Sequence, residues 1–227
     1  MSFDDRIEIT AGGCGRDEAD ALALYVARQL ESFFPRGGID ADAQRIAAAL
    51  PRVLQRLEPI LRAVKGFRTG TFQLFHSLQY ATFLYLLANE QWNTGGDRGL
   101  PERLFLLNRA LNAIDLYPAV ELPEVFFISH GLGTVLGNVP YGNRLVFFQN
   151  VTVGRVGDAR PVIGNNVVLY PGAVVSGRTV IGDHCVVAAG TVLHDVSVPD
   201  HSMARMEDGK LAIRPIARDY IGLYLSE

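Results

Sequence analysis

The sequence predicts an α+β protein in which a helical half is followed by a triangular coil of short parallel β-strands. Two periods carry this prediction. Residues 1–112 repeat their apolar side chains at helical spacing, whereas residues 163–196 place an aliphatic side chain at every sixth position. A helix repeats its apolar face about every 3.6 residues and an ordinary strand about every two, so a six-residue period indicates the flat side of a three-sided coil. The alternative is a sandwich or barrel of short strands, which would need alternating apolar and polar residues with turns about every 8 to 12 residues.

Four segments of the helical half carry apolar stripes at helical spacing. They are residues 17–34, 40–64, 71–92 and 101–112. Asp40 and Thr71 are predicted to cap the second and third helices, and Pro101 suits the first turn of the fourth. The third segment is apolar on more than one side, so we expect it to be buried either in the core of this chain or against another subunit.

The six-residue period has two fixed phases. The aliphatic phase is occupied by Ile163, Leu169, Val175, Ile181, Val187 and Leu193. The second phase holds small residues that are predicted to point inward, namely Val167, Ala173, Thr179, Cys185 and Thr191. Extended backwards, the aliphatic phase selects Val153, Phe147, Tyr141 and Val135. The period is interrupted over residues 154–162, which predicts one loop extruded from the coil.

Charge and cysteine content narrow the possible functions. With 21 basic and 24 acidic residues, the net charge of -3 offers no general attraction for nucleic acid or an anionic membrane. Of the two cysteines, Cys14 and Cys185, the second falls at a small inward phase, which predicts a buried free thiol in a reducing compartment. The N-terminus lacks the apolar core of a signal peptide, and no stretch approaches about 18 apolar residues, so we expect a cytoplasmic protein without a membrane span.

Five stretches of the second half follow the motifs of a known family in order and spacing. They are IDLYPAVEL (114–122), ISHGLGTVLG (128–137), FFQNVTVG (147–154), GDARPVIGNNVVLYPGAVVSG (157–177) and IGDHCVVAAGTVLHDVSVP (181–199). Over residues 71–199 the chain thereby resembles the serine acetyltransferases, CoA-dependent members of the hexapeptide-repeat acyltransferases. The resemblance implies an N-terminal helical domain (1–112), a left-handed parallel β-helix with one extruded loop (113–203) and a C-terminal tail (204–227).

In the resembled family an aspartate and a histidine fifteen residues apart form a catalytic dyad, and Asp115 and His130 stand at that spacing. A hydroxyl that attacks a thioester needs a base, and imidazole titrates closest to working pH. His130 is therefore the candidate base, with Asp115 orienting its ring and stabilising the imidazolium. The structural alternatives are a histidine in a turn and an aspartate that caps the preceding helix.

The resemblance also implies acetyl-CoA as co-substrate, bound between neighbouring coils of a trimer with its pantetheine along glycine and alanine corners. The matching small residues are Pro171, Gly172, Ala173, Ala188, Ala189 and Gly190. Coil corners favour small residues in any case, so a purely structural role is the alternative. Backbone N–H groups at Gly154 and Arg155 are candidates for the oxyanion. Cations for the 3'-phosphate would come from Arg205, Lys210 and Arg214.

The chain departs from the family at three places near the expected substrates. Ser129 stands where the family has a second acidic residue before the histidine, and a hydroxyl holds an ammonium less strongly than a carboxylate. The loop sequence DARP (158–161) lacks the family's histidine, although Arg160 could still clamp a carboxylate or phosphate. Residues 204–208 replace the segment that usually closes over CoA. Glu58, which precedes a proline, is the best match for a further acidic residue of the acceptor site.

The leading hypothesis is an acetyl-CoA-dependent O-acetyltransferase that acts on serine by direct transfer. An O-acetyltransferase for another hydroxyl, such as a sugar or a biosynthetic intermediate, is the alternative enzyme, and a non-catalytic β-helix scaffold is the alternative outside enzymes. A homotrimer or a dimer of trimers is expected, since an open coil has apolar faces to cover. No metal is expected, because the histidines do not supply three converging ligands.

Overall fold

The computed structural model describes residues 6–8, 15–67 and 71–226, so the prediction for Cys14 lies outside the described residues. The chain forms two compact units. One comprises Met1–Arg62 with Gly66–Asn112, and the other comprises Ala63–Lys65 with Ala113–Glu227.

The first unit holds four helices within its described residues. They are α1 (Arg16–Phe33), α2 (Ile39–Ala63), α3 (Ser77–Asn93) and α4 (Gly99–Asn112). Two short strands, β1 (Arg6–Glu8) and β2 (Thr71–Gln73), pair antiparallel. Every residue of α3 from Gln79 to Gln91 is buried, so the side chains of this helix lie in the core of the chain itself.

Two predicted helix caps are wrong. Thr71 lies in β2, and α3 begins six residues later, after His76, whose extended backbone (φ −87°, ψ 105°) precedes the first helical turn. Thr71 is in a strand because β2 pairs with β1, and the sequence around Thr71 does not predict this partner. Asp40 lies inside the first turn of α2, because the carbonyl of Gly38 already accepts the N–H of Asp42 (3.0 Å).

The second unit winds into a coil with three flat faces. Its strands are β3 (Asp115–Leu116), β4 (Phe126–Ile128), β5 (Val135–Leu136), β6 (Leu145–Phe147), β7 (Thr152–Gly154), β8 (Val162–Ile163), β9 (Val168–Leu169), β10 (Val174–Ser176), β11 (Val180–Ile181), β12 (Val186–Val187), β13 (Val192–His194), β14 (Ser197–Val198), β15 (Ser202–Glu207) and β16 (Lys210–Pro215). The first face consists of β3, β5, β7, β10 and β13, the second of β8, β11 and β14, and the third of β4, β6, β9, β12, β15 and β16. Neighbouring strands are parallel, except that β16 returns antiparallel to β15. The predicted fold class, a helical domain followed by a left-handed parallel β-helix with one extruded loop, is confirmed.

The inward columns of the β-helix follow the six-residue period. The aliphatic residues from Ile163 to Leu193 are at most 2% exposed, and the small residues of the second phase are fully buried. The backward extension is wrong at Val135, which is 41% exposed, while Leu136 points inward. The cause is a corner of different length, because the connection from Leu136 to Tyr141 is one residue shorter than that from Val175 to Ile181.

The extruded loop occupies residues 155–161, between β7 and β8. Val156 and Ala159 exchange two backbone hydrogen bonds (2.8 and 3.1 Å), which fold the loop into a tight hairpin turn. Gly157 adopts the positive φ (59°) that this turn requires.

The C-terminal residues lie within the second unit. β15 extends the third face beyond β12, and after β16 the chain forms one 3-10 turn, Ile221–Leu223. Leu225 then forms a bridge with Val64. Among the described helices, none is both long and apolar enough to cross a bilayer.

Candidate active site

His130 lies in an irregular corner of the β-helix. We call the connections from the third face to the first face the third corner; they comprise residues 129–134, 148–151, 170–173 and 188–191. The connection that carries His130 is two residues longer than the others. Its extra length is taken up by two short turns, in which Leu132 N–H donates to the His130 carbonyl (2.7 Å) and Thr134 N–H to that of Gly131 (3.1 Å). His130 itself has a left-handed backbone (φ 52°) and is exposed.

Asp115 begins the first strand of the neighbouring turn. It pairs in register with Val135, and its N–H donates to the Thr134 carbonyl (2.9 Å). Because Leu116 points into the coil (2% exposed), strand alternation directs Asp115 outward, where it is half-buried. Asp115 is thus a strand residue and does not cap α4, which ends at Asn112.

Backbone contacts join the segments that carry Asp115 and His130. Gly133 N–H donates to the carbonyl of Ala113 (2.9 Å). A Cβ on Gly131 would lie 2.7 Å from the Ile114 side chain and 2.6 Å from that of Ile128, so only glycine permits this approach. The structure therefore brings the two predicted dyad residues to one corner on successive turns.

The predicted CoA residues continue this corner in the later turns. Gly172 (φ 72°) and Gly190 (φ 67°) have left-handed backbones, and each N–H donates to the preceding turn, to Gln149 (3.0 Å) and Pro171 (2.9 Å) respectively. A Cβ on Gly190 would meet nothing within 4 Å, so backbone conformation rather than crowding requires glycine there. Ala189 and Gly190 are exposed. In the turns of Gly172 and Gly190, the third corner therefore presents a surface of small residues.

Ser129 is 6% exposed, directly before His130, and its N–H donates to the Phe147 carbonyl (2.8 Å). It therefore shares the third corner with the predicted dyad, as a neutral group at the position where the resembled family is acidic.

The loop candidates lie at the other edge of the first face. Gly154 ends β7 and pairs with Ser176, while Arg155 and Arg160 are exposed on the extruded loop. Within one chain these residues are not at the third corner. Glu58 belongs to α2 of the helical unit, where it forms an ion pair with Arg62.

The predicted phosphate cations are engaged with a carboxylate. Arg205 Nε donates to Glu207 Oε1 (2.7 Å), and Arg214 Nη2 lies 3.3 Å from Glu207 Oε2. The hydrogen bonds from Arg205 and then Arg214 lower the pKa of the Glu207 carboxyl. A ligand phosphate would compete with this carboxylate, whereas Lys210 is exposed at the hairpin.

Gln149 is a residue of the third corner that the sequence analysis did not single out. Its Oε1 is buried and has no hydrogen-bond partner among the described residues. A buried acceptor left unpaired costs about 1–3 kcal/mol, so such groups often meet a donor from water or ligand. The sequence could have indicated Gln149, because the equivalent corner positions in the next two turns are Pro171 and Ala189, which carry no amide side chain.

Two further histidines of the coil stack at a different corner. His184 and His201 lie parallel (ring centroids 4.7 Å apart), and Asn166 contacts His184 (3.4 Å). They line a cavity of about 240 Å³ beneath residues 216–221. Cys185 lies beside them as a buried free thiol, and burial raises its pKa, which makes it a weak nucleophile. Over the described residues, three or more His, Cys, Asp or Glu side chains nowhere cluster as a metal site.

The fold is a β-helix built on a six-residue repeat and preceded by a helical domain. Residues 160–195 match the family model described as bacterial transferase hexapeptide (six repeats). In sequence the chain is similar to named serine acetyltransferases. It is 33% identical over 203 residues to serine acetyltransferase 2 of Arabidopsis thaliana, which covers 83% of this chain and 58% of that protein. It is 30% identical over 154 residues to a putative serine acetyltransferase of Schizosaccharomyces pombe, covering 66% of this chain and 52% of that protein. The chain spans about half the length of the curated relatives it matches.

Solved serine acetyltransferases share the fold. The enzyme of Neisseria gonorrhoeae superposes with a TM-score of 0.70 at 21% identity, covering 90% of this chain and 82% of that one. A serine acetyltransferase solved in complex with CoA gives a TM-score of 0.65 at 18% identity, with coverage of 86% and 84%. The resemblance predicted from the motifs is confirmed by these sequence and structural similarities.

Proposed function

We propose that the protein is an acetyl-CoA-dependent O-acetyltransferase that acetylates serine by direct transfer, with His130 as the base and Asp115 as its orienting carboxylate. The observation that carries this proposal is the third corner. There, two inserted residues present an exposed histidine next to the strand that begins with Asp115. Similarity to serine acetyltransferases over most of the chain supports the same reaction.

The proposed chemistry uses His130 twice. Its imidazole removes the proton of the acceptor hydroxyl as that oxygen attacks the thioester carbonyl, and it returns the proton to the sulfur as the C–S bond breaks. Asp115 holds the ring in the tautomer whose free nitrogen faces the acceptor and stabilises the transient imidazolium. Between them, one acetyl group moves from sulfur to oxygen, and free CoA leaves as the thiol.

The small residues of the third corner fit the narrow pantetheine of acetyl-CoA, which brings the acetyl group as an activated thioester. Gly172, Ala189 and Gly190 let a ligand approach the backbone closely. Lys210 is the cation best placed by its exposure to meet the 3'-phosphate, since Arg205 and Arg214 share Glu207.

A trimer would complete the site. Gly154, Arg155 and Arg160 lie at the opposite edge of the first face from His130, so we propose that they serve the active site of a neighbouring copy. There the backbone at Gly154 and Arg155 would stabilise the oxyanion. The exposed apolar residues that trimerisation would cover are Leu132, Val135, Val162, Val180 and Val192. A dimer of trimers that pairs through the helical units is the alternative assembly.

Ser129 favours a second candidate for the acceptor. It is a neutral side chain, and a neutral hydroxyl holds an ammonium less strongly than a carboxylate. An acceptor without an amino group, such as a sugar hydroxyl or a hydroxy acid, would therefore suit this position.

Glu58 is retained as a candidate acidic residue for the serine acceptor. The buried free thiol of Cys185 is compatible with a reducing compartment, so we assign the reaction to the cytoplasm.

The test is release of free CoA thiol by the full chain with L-serine, homoserine or an amino sugar. We expect turnover with serine, a loss of about 10² to 10⁴ in kcat for His130→Ala, and a smaller loss for Asp115→Asn. His194→Ala is the matched control, because His194 is also an exposed histidine of the β-helix, hydrogen-bonded to Ser176 (3.0 Å). Activity that survives both dyad substitutions would overturn the dyad. Turnover restricted to another acceptor would select the second candidate, and no turnover with any acceptor would favour a scaffold.

A further inference from the structure

An aromatic cluster lies at the start of the third corner. Phe148 and Tyr170 stack on each other (ring centroids 5.2 Å, interplanar angle 23°). Tyr224, from the C-terminal segment, packs edge-on against Phe148 (5.4 Å) and Tyr170 (6.4 Å). The hydroxyl of Tyr224 donates to that of Tyr170 (2.9 Å). Burial, followed by this hydrogen bond, raises the pKa of the Tyr170 hydroxyl.

Residues 220–226 hold Tyr224 from both sides. Ile221 is 5% exposed and Leu225 1%. Lys65 N–H donates to the Tyr224 carbonyl (2.8 Å), and Ser226 N–H donates to the Ala63 carbonyl (2.7 Å). All of these residues belong to the second unit. The segment is therefore a strap held by residues 63–65, with Tyr224 as its contact to the third corner.

The position of the cluster in the repeat is specific. The residues that open the third corner in successive turns are Ser129, Phe148, Tyr170 and Ala188, as their N–H bonds to the next turn show. The two aromatic members stand between the turn of His130 and the turn of Gly190. Each aromatic residue is followed at once by a residue of the proposed substrate surface, Gln149 after Phe148 and Pro171 after Tyr170.

We propose that Tyr224 is a positioning residue for acetyl-CoA, which acts through Phe148 and Tyr170 by fixing the third-corner backbone at Gln149 and Pro171–Gly172. This inference rests on the proposed function. The strap supports the thioester-binding surface with a contact that the repeat itself does not contain. Tyr224 does not touch the reacting atoms, so its loss should weaken binding of the co-substrate and leave the chemical step largely intact.

The experiment compares Tyr224→Ala, Tyr224→Phe and Tyr170→Phe with wild type in the full chain. The readouts are the dissociation constant for CoA by calorimetry, KM for acetyl-CoA, kcat and the melting temperature. We expect Tyr224→Ala to raise the dissociation constant and KM about five- to tenfold, with kcat within about twofold. Tyr224→Phe keeps the ring and should raise both about twofold, with no further change when it is combined with Tyr170→Phe. Leu223→Ala is the control, because Leu223 is 44% exposed in the same segment.

The outcomes separate this inference from the proposed function. If wild type binds CoA and acetylates an acceptor while Tyr224→Ala binds CoA as wild type does, the positioning role is wrong and the transferase stands. A lower melting temperature with unchanged CoA binding has the same meaning. If wild type does not bind CoA, both proposals fall together. Should Tyr224→Ala not fold, Tyr224→Phe still decides, because the positioning role requires its dissociation constant and KM to rise, and unchanged values in that variant would overturn it.

Discussion

The helical unit places polar groups in its core one at a time, whereas the β-helix repeats one hydrogen bond from turn to turn. In the first unit the buried Arg103 binds Asp42 (2.6 Å), and the buried Asn89 accepts from Arg56 (2.8 Å). In the second unit, each Asn or Asp of one corner accepts the backbone N–H of the turn before it. The pairs are Asn143 with Asn165 (2.8 Å), Asn165 with Asp183 (2.6 Å) and Asp183 with Asp200 (2.8 Å).

This difference bears on where function is found. In the helical unit each of these polar pairs occurs once, so an unusual pair there does not indicate a functional site. In the β-helix the regular turns make exceptions easy to recognise, and they include the two residues inserted at His130, the loop 155–161, the shorter connection after Leu136 and the unpaired amide oxygen of Gln149. The proposed chemistry is concentrated at these exceptions.

The largest expected effect tests the unique pairs of the helical unit. Asp42→Leu removes the nearer carboxylate of the Arg103 guanidinium, which is 8% exposed, and leaves only Glu31 at 3.9 Å, so we expect a loss of about 3 kcal/mol in the free energy of unfolding. The double variant Asp42→Leu/Arg103→Met should recover most of this loss. In the repeat, Asp183→Ala removes two exposed hydrogen bonds that Asp183 Oδ1 accepts from the backbone N–H (2.6 Å) and Nδ2 (3.1 Å) of Asn165, and it should cost about 1 kcal/mol. Urea denaturation measures all three, and equal losses for Asp42→Leu and Asp183→Ala would contradict the comparison.

The second prediction concerns the exception at Gln149. Gln149→Met removes an acceptor that is already unpaired, so we expect the free energy of unfolding to stay within about 1 kcal/mol of wild type or to rise. If substrate supplies the missing donor, kcat/KM should fall about tenfold, which corresponds to about 1.4 kcal/mol. Gln149→Glu keeps an oxygen acceptor and should retain more activity than the methionine variant. Unchanged kcat/KM in Gln149→Met would make Gln149 a structural residue only.

The smallest expected effect is a pH dependence at the surface of both units. The N–H of Gly99 lowers the pKa of Asp97 in the helical unit, and the N–H of Arg178 (2.6 Å) lowers that of Asp195 in the β-helix. Because the folded pKa lies below the unfolded value of about 4, each carboxylate stabilises the fold above that pH and ceases to do so as pH falls through the folded pKa. We expect a modest drop in melting temperature below about pH 4, and a flatter profile for Asp195→Asn. An identical acid profile in that variant would show that Asp195 contributes nothing.

The β-helix, the interrupted turn and the spacing of Asp115 and His130 could all be predicted from the order of residues along the chain. This was possible because each residue of a repeat contacts neighbours at a fixed distance along the chain, so the period predicts whether its side chain is buried or exposed. The columns from Ile163 to Leu193 needed no other information. The register failed at Val135, where a corner one residue shorter changed which side chain pointed inward.

The contacts between distant segments could not be predicted in this way, because they follow no period along the chain. The pairing of Thr71 with a strand from the first residues of the chain displaced a predicted helix start. Glu207 took up the two arginines expected for a phosphate. Tyr224 met Tyr170 across 54 positions of sequence. Each of these contacts depends on which surfaces the folded chain brings together, and the local sequence around each residue does not predict that.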